Sequence, residues 1–470
     1  MKALKDILRV VASNITALIC GILVGFFVPK MLSVEGYGYY KTFTLYKSYL
    51  GLCSLGIIDG IVLQFGAKDY NQLVRKTFRS YFGWYTLIQI IFAGVIIVAS
   101  RILHFTRSQS LLLFLGAELI ASNTTGFFQQ ISQITQRFKE YSLRKVLQSL
   151  LQIIEVLVLY FAFSRGWEIS YEVYTICFIV INFLLGFWYI YTYRDIVFGP
   201  RRPLFETKGE IVALGKLGFP LLFANLCSSL IMSIDRQYVS LLFSKTDYAI
   251  YAFAYSMLSL VTVATSAIAS VIYPILKRMD ADTFKKNYDM FLTSVTMFVF
   301  LCVALYFPLC LFVDWYLPKY HNSLEIFRII IPGVAISSSV TVIMHNYYKT
   351  AGINEKYFVK SMVVLAVSIA ANYIAYKAVG TMASISVASV ITILFWYVFA
   401  DFGLKKFCSS NAVRNIIYIF IMLVLFYTAS ALQPVLGFAV YVLVYGLITI
   451  IFYKRNILEF SKIVKRRTQK

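Results

Sequence analysis

The chain has 470 residues, of which 60% are hydrophobic, 17% aromatic and only 14% charged, with a mean hydropathy of +0.74. Soluble domains carry roughly 25% charged residues, so this composition excludes a soluble protein. The net charge of +22 would suggest a nucleic-acid partner in a soluble chain, but here the basic residues fall in breaks between apolar runs, so they report topology and no nucleic acid is expected.

In chain order, Met1-Lys2-Ala3-Leu4-Lys5 has the look of a signal-peptide start, but the apolar run behind it is too long and no A-x-A site precedes a second span. We read it as a retained first helix. A spanning helix needs roughly 20 mostly apolar residues. Runs of that kind centre on 10–31, 39–66, 80–100, 110–134, 146–163 and 172–193. After the basic, proline-containing stretch 194–210, six more follow at 211–242, 249–275, 288–312, 324–348, 358–378 and 381–400. Two final runs at 415–432 and 436–453 make about fourteen, ahead of the basic tail 454–470.

Lys and Arg in alternate breaks fix the orientation, because positively charged short loops stay cytoplasmic. Of the 44 basic residues, 33 lie on the side of the N-terminus, seven on the other side and four within spans. Both termini are therefore expected in the cytoplasm. The cysteines lie in apolar runs (Cys20, Cys53, Cys177, Cys227, Cys302, Cys310) or on a basic loop (Cys408), with no C-x-x-C spacing, so neither a disulfide framework nor a metal or cofactor motif is implied.

Ser33-x-x-x-Tyr37-x-x-Tyr40, leading into the second run, matches Ser244-x-x-x-Tyr248-x-x-Tyr251, leading into the eighth, at an offset of 211 residues. The two groups of six read as copies of one unit. Six is even, so the repeat is parallel, about an axis along the membrane normal. The expected fold is all-α: two parallel six-helix lobes around a central cavity, residues 1–200 and 201–405, plus two C-terminal helices and a tail, residues 406–470.

Polar side chains inside spans are costly against lipid and usually face a protein interior or a wet cavity. The fourth run places Glu118, Ser122, Thr125, Gln129, Gln133 and Gln136 on one face; the fifth, Gln148, Gln152 and Glu155. The seventh carries Asn225, Ser228 and Asp235, and the eighth Tyr255, Ser259, Thr262, Ser266 and Tyr273. The same residue types also serve as hydrogen bonds between helices. Cations inside spans are rarer. Arg236 is the foremost candidate for an anion ligand, with Lys47 next. Lys41 is near the outer end, where it can also snorkel to the interface. Arg328 stands three residues after Glu325, at a pairing distance. The acids Asp59, Glu118, Glu155 and Asp235 are candidates for coupling to a proton or sodium ion. His104, His321 and His345 form no cluster, and no catalytic residue stands out.

The opening, Ser13-Asn14 through Pro29-Lys30-Met31-Leu32-Ser33 and Gly36-Tyr37-Gly38-Tyr39-Tyr40, with Asp235-Arg236 and the stretch Tyr248–Tyr255, resembles the polysaccharide transporter family. That family comprises O-antigen and exopolysaccharide flippases of the multidrug/oligosaccharidyl-lipid/polysaccharide exporter superfamily. The resemblance implies a bacterial inner-membrane flippase, not an enzyme, acting in lipopolysaccharide or exopolysaccharide biosynthesis. Its implied substrate is an oligosaccharide on undecaprenyl diphosphate, and its implied partners are membrane lipids, the glycan polymerase and the chain-length machinery. Many such flippases have twelve helices, whereas related lipid II flippases have fourteen. A diphosphate brings roughly two negative charges to a hydrocarbon core about 30 Å thick, so Arg236, Lys47, Lys41, Gln129 and Asn225 are the candidate substrate ligands. A cation exporter of the same superfamily and a membrane glycan polymerase are the other readings.

Overall fold

The computed structural model describes residues 2–66, 68–102, 109–277, 279–405, 407–408 and 411–468. With no water in the hydrocarbon core, every backbone N–H and C=O must pair within its own segment, and helices answer that demand; no strand occurs among the described residues. The helices are α1 (Lys2–Met31), α2 (Val34–Lys47), α3 (Ile57–Phe65), α4 (Arg75–Ile102), α5 (Gln109–Ile134), α6 (Phe138–Ser164), α7 (Tyr171–Thr192), α8 (Arg194–Val197) and α9 (Leu204–Ile231). They continue as α10 (Ile234–Leu242), α11 (Lys245–Lys277), α12 (Ala281–Val303), α13 (Tyr306–Tyr316), α14 (Ser323–Ser338), α15 (His345–Thr350), α16 (Asn354–Val379), α17 (Met382–Leu404), α18 (Ala412–Ala429) and α19 (Pro434–Thr468). Among the described residues twelve helical segments are long and apolar enough to cross a membrane, or thirteen with the bent pair Val34–Ser54 and Ile57–Phe65. The 33-residue α11 occupies the place of the eighth run.

By internal contacts the chain divides into two units, residues 1–229 with 244–249, and residues 230–243 with 250–470. In the first unit α1 lies along α6, α4 along α5, and α5 along α7. Rings from α4, α5 and α7 form its aromatic core: Phe82 and Phe128 are 5.1 Å apart, and Phe128 stacks on Tyr193 at 5.4 Å. In the second unit α14 and α16 pack on α17, and α18 and α19 pair with each other and lie against α12, α13 and α14. The tenth span, Ser323–Thr350, is the most buried, and it carries Pro332 and a π-helical turn at Ser339–Met344.

Three expected continuous helices are interrupted, the run 288–312 only by the turn at Ala304–Leu305 between α12 and α13. The run 39–66 bends by 58° between Val34–Ser54 and Ile57–Phe65. Leu55 (φ 51°) and Gly56 (φ 76°) both take the left-handed conformation, which ends a right-handed helix. The cause is close packing. Gly56 and Gly60 lie directly against the backbone of Gly218 and Leu214 on α9, and a Cβ on any of these glycines would collide with main-chain atoms. Small residues four apart let membrane helices approach this closely. The run 211–242 begins earlier, at Leu204, and breaks after Ile231; Ser233 (φ −137°, ψ 1°) is not helical. The last helix runs on to Thr468 with a kink at Tyr453, where a tail was expected.

The matched serines have one job. Ser33 Oγ accepts the Gly36 N–H at 3.0 Å, and Ser244 Oγ accepts the Asp247 N–H at 3.0 Å. Each satisfies an orphan donor at a helix start, so this part of the repeat records N-capping.

Candidate functional site

In the first unit the polar stripes of α5 and α6 meet α2 and α7. Glu118 is fully buried, and its carboxylate pairs with Lys47 Nζ at 3.0 Å. Asn182 on α7 donates to both Glu118 oxygens, at 2.9 and 3.1 Å, while its own amide oxygen accepts from Gln148 at 3.1 Å. Lys47 Nζ also lies 3.8 Å from the centre of the Phe178 ring. An isolated charge in an apolar interior costs several kcal/mol, and this arrangement offsets that cost by giving each member a charged or hydrogen-bonded neighbour. Lys47 is thus half of an ion pair with Glu118, and its charge is largely taken up before any anion arrives.

Next to this network is a cavity of about 270 Å³ lined by residues of α1, α2, α6 and α7, including Cys20, Tyr40, Gln148, Gln152 and Tyr174. Cys20 Sγ donates to Gln152 Oε1 at 3.4 Å. One turn further along α6, Glu155 is 7% exposed, within electrostatic reach of Cys20, Tyr40 and Tyr174. Both Glu155 carboxyl oxygens are buried with no hydrogen-bond partner. A buried carboxyl in that state calls for a proton or a cation.

In the second unit the break after Ile231 sets Asp235 in the first turn of α10. Asp235 is 2% exposed. It accepts the Tyr251 hydroxyl at 2.7 Å, the Tyr255 hydroxyl, and the Arg236 backbone N–H at 2.7 Å. Ser386 on α17 donates to Tyr251 Oη at 3.3 Å. The Arg236 guanidinium points elsewhere: it donates to the Met232 carbonyl at 3.0 Å and sits 4.6 Å from the centre of the Tyr255 ring. Adjacent helical residues diverge by about 100°, and here acid and base do diverge.

The remaining candidates are spread out. Lys41 is half-buried with Nζ 5.2 Å from the Tyr37 ring centre. Gln129 lies beside Tyr189, Asn225 is exposed on α9, and Asp59 sits in the first turn of α3, where a helix N-terminus favours a carboxylate. Glu325 and Arg328 form no ion pair within 4 Å, and Glu325 is exposed. Ser266 and Tyr273 lie outside the side chains described, and His104 outside the described residues. His345 stacks on Tyr357 at 4.6 Å. Cys408, on the basic loop before α18, is buried, which pushes its thiol pKa up to about 12 and keeps it protonated.

The residues missed from sequence were Asn182, Phe178, Tyr174 and Ser386. Asn182 could have been found: it is the one amide in the run Val173–Phe187, and a lone amide in an apolar run needs a partner.

The model for the family described as polysaccharide biosynthesis protein matches residues 3–280, and the chain belongs to that family. A protein described as Lsg locus putative protein 1, from Haemophilus influenzae, is 22% identical over 326 residues, covering 68% of this chain and 75% of its own. Among solved structures, the lipid II flippase MurJ in an inward closed conformation superposes with a TM-score of 0.74 at 14% identity, covering 97% of this chain and 100% of that one. An inward-facing multidrug resistance MATE family transporter gives a TM-score of 0.55 at 12% identity, covering 84% and 95%. At these identities the structures share the fold.

Proposed function

We propose that this transporter is a flippase that moves an undecaprenyl-diphosphate-linked oligosaccharide from the inner to the outer leaflet of the bacterial cytoplasmic membrane, by alternating access, with both termini in the cytoplasm. It acts by binding and release, without making or breaking covalent bonds. Family membership is the observation that carries the reading, and the distribution of 33 basic residues against seven supports the orientation. Arg236 is the proposed diphosphate ligand, since a guanidinium offers a fork of donors to phosphate oxygens. Lys41, Gln129 and Asn225 supply further donors to phosphate and sugar. Lys47 acts through Glu118, holding the network around the cavity.

An inside-negative potential favours outward movement of an anion by about 2.3 kcal/mol per charge per 100 mV. Of the four acids, Glu155 is the proposed coupling residue, because Asp235, Glu118 and Asp59 each have a structural task. A cation exporter is the second reading, favoured by the same partnerless Glu155. Deletion of the gene, followed by analysis of lipid-linked sugars, decides between them. Carrier-bound glycan accumulating on the inner leaflet, restored to export by the wild-type gene but not by Arg236→Ala, is the expected result. Normal surface glycan in the deletion strain would overturn the proposal.

A further inference from the structure

A second cavity in the first unit, of about 350 Å³, gathers the N-terminal ends of α2, α5 and α7. These are the starts of the second, fourth and sixth spans, so they share one membrane face, opposite to the start of α1. In the proposed orientation that face is periplasmic. The volume falls in the range of about 300–1,000 Å³ seen for small-molecule sites.

Its lining combines rings, hydroxyls and acids. Tyr39 and Tyr171 stack with centres 5.1 Å apart and planes at 20°. Tyr171 is buried and Tyr39 half-exposed, and both residues line the cavity. Ser110 Oγ and Tyr171 Oη share a hydrogen bond of 2.6 Å. Ser33 and Ser170 cap their helices by accepting from Gly36 and Val173, and an accepting hydroxyl keeps its own O–H to donate. Glu35 and Glu172 complete the lining. A first-turn carboxylate is explained by the helix dipole. The stacked rings and the Ser110–Tyr171 hydroxyl pair beside it are not.

Apolar C–H faces on an aromatic ring, with sugar hydroxyls shared between carboxylate acceptors and serine donors, is the chemistry that recognises a pyranose. We infer that this groove is a saccharide site, holding a sugar ring of the transported glycan on the delivery side. The inference rests on the flippase reading for the source of the sugar, though not for the binding itself.

The test is saturation-transfer NMR on the full-length protein in detergent micelles, with methyl galactoside and N-acetylglucosamine as probes. Transfer to the ring C–H protons, weakened roughly tenfold by Tyr39→Ala and retained in Tyr39→Phe, is the expected result. No transfer, or equal transfer in Tyr39→Ala, would overturn it. So would calcium binding, followed by calorimetry, that disappears in the Glu35→Gln, Glu172→Gln double variant while the sugars show no transfer, since the groove would then be a cation site. A strain that displays glycan normally while its purified protein shows no transfer removes this inference and leaves the flippase reading intact.

Discussion

Each unit buries a carboxylate, and the two solve the resulting problem differently. In the first, Glu118 is held by a lysine and an amide, Lys47 and Asn182. In the second, Asp235 is held by two phenols, Tyr251 and Tyr255, and the neighbouring cation turns toward a ring face and a carbonyl. The difference separates a lysine that answers its carboxylate directly from an arginine whose guanidinium is turned away from the acid beside it. A buried ion pair is costly to split because the survivor is left uncompensated. A carboxylate satisfied by two phenols does not need the neighbouring guanidinium, which here donates to the Met232 carbonyl and lies over the Tyr255 ring.

The contrast can be broken most sharply at the ion pair. Lys47→Ala should destabilise the protein by about 3–5 kcal/mol, lowering its amount in membranes and its melting temperature in detergent. Lys47→Met with Glu118→Gln should recover most of that loss; a double variant as unstable as the single would mean that the pair is not the cause. Asp235→Asn comes next, at about 1–3 kcal/mol, because two buried hydroxyls lose a charged acceptor. Arg236→Ala should cost about 1–2 kcal/mol through the lost Met232 hydrogen bond and Tyr255 ring contact, while abolishing surface glycan, measured by gel analysis of extracted polysaccharide. Glu155→Gln should leave melting unchanged, having no hydrogen-bond partner to lose, but should flatten the dependence of export on external pH. A drop in melting temperature would instead reveal a structural partner.

The smallest effect is at Asp280, outside the spans, where the Thr283 N–H holds the carboxyl below its usual pKa. A depressed folded-state pKa contributes stability that is present above the ordinary carboxylate range and is lost as pH falls through the folded value. Asp280→Asn should therefore remove a slight acid sensitivity of melting and nothing else.

Much of the fold could be read from the sequence because hydrocarbon thickness sets the length of every apolar run: among the described residues twelve helical segments, or thirteen with the bent pair, are long and apolar enough to span, against about fourteen expected. The break at Leu55–Gly56 could not, because it lies in a stretch whose composition stays apolar, and at Ser233 the polar Asp235-Arg236-Gln237 signalled a change of composition without showing that the helix stops there. What bends the chain at these two places is contact with distant backbone or a change in hydrogen bonding, neither of which alters hydropathy. The polar stripes were visible as spacing along single helices. Their pairing was not, since Lys47 and Glu118 stand 71 residues apart and either could have met another partner. Glu155 illustrates the opposite: it looked like any other buried acid, and only the packing shows both its oxygens without a donor.

Purified protein reconstituted into liposomes with a fluorescent undecaprenyl-diphosphate oligosaccharide tests translocation itself, by the fraction of label open to a membrane-impermeant quencher. Wild-type protein should bring inner-leaflet label into reach, and Arg236→Ala should leave it protected. Wild-type vesicles that protect the label as fully as protein-free ones would contradict the account.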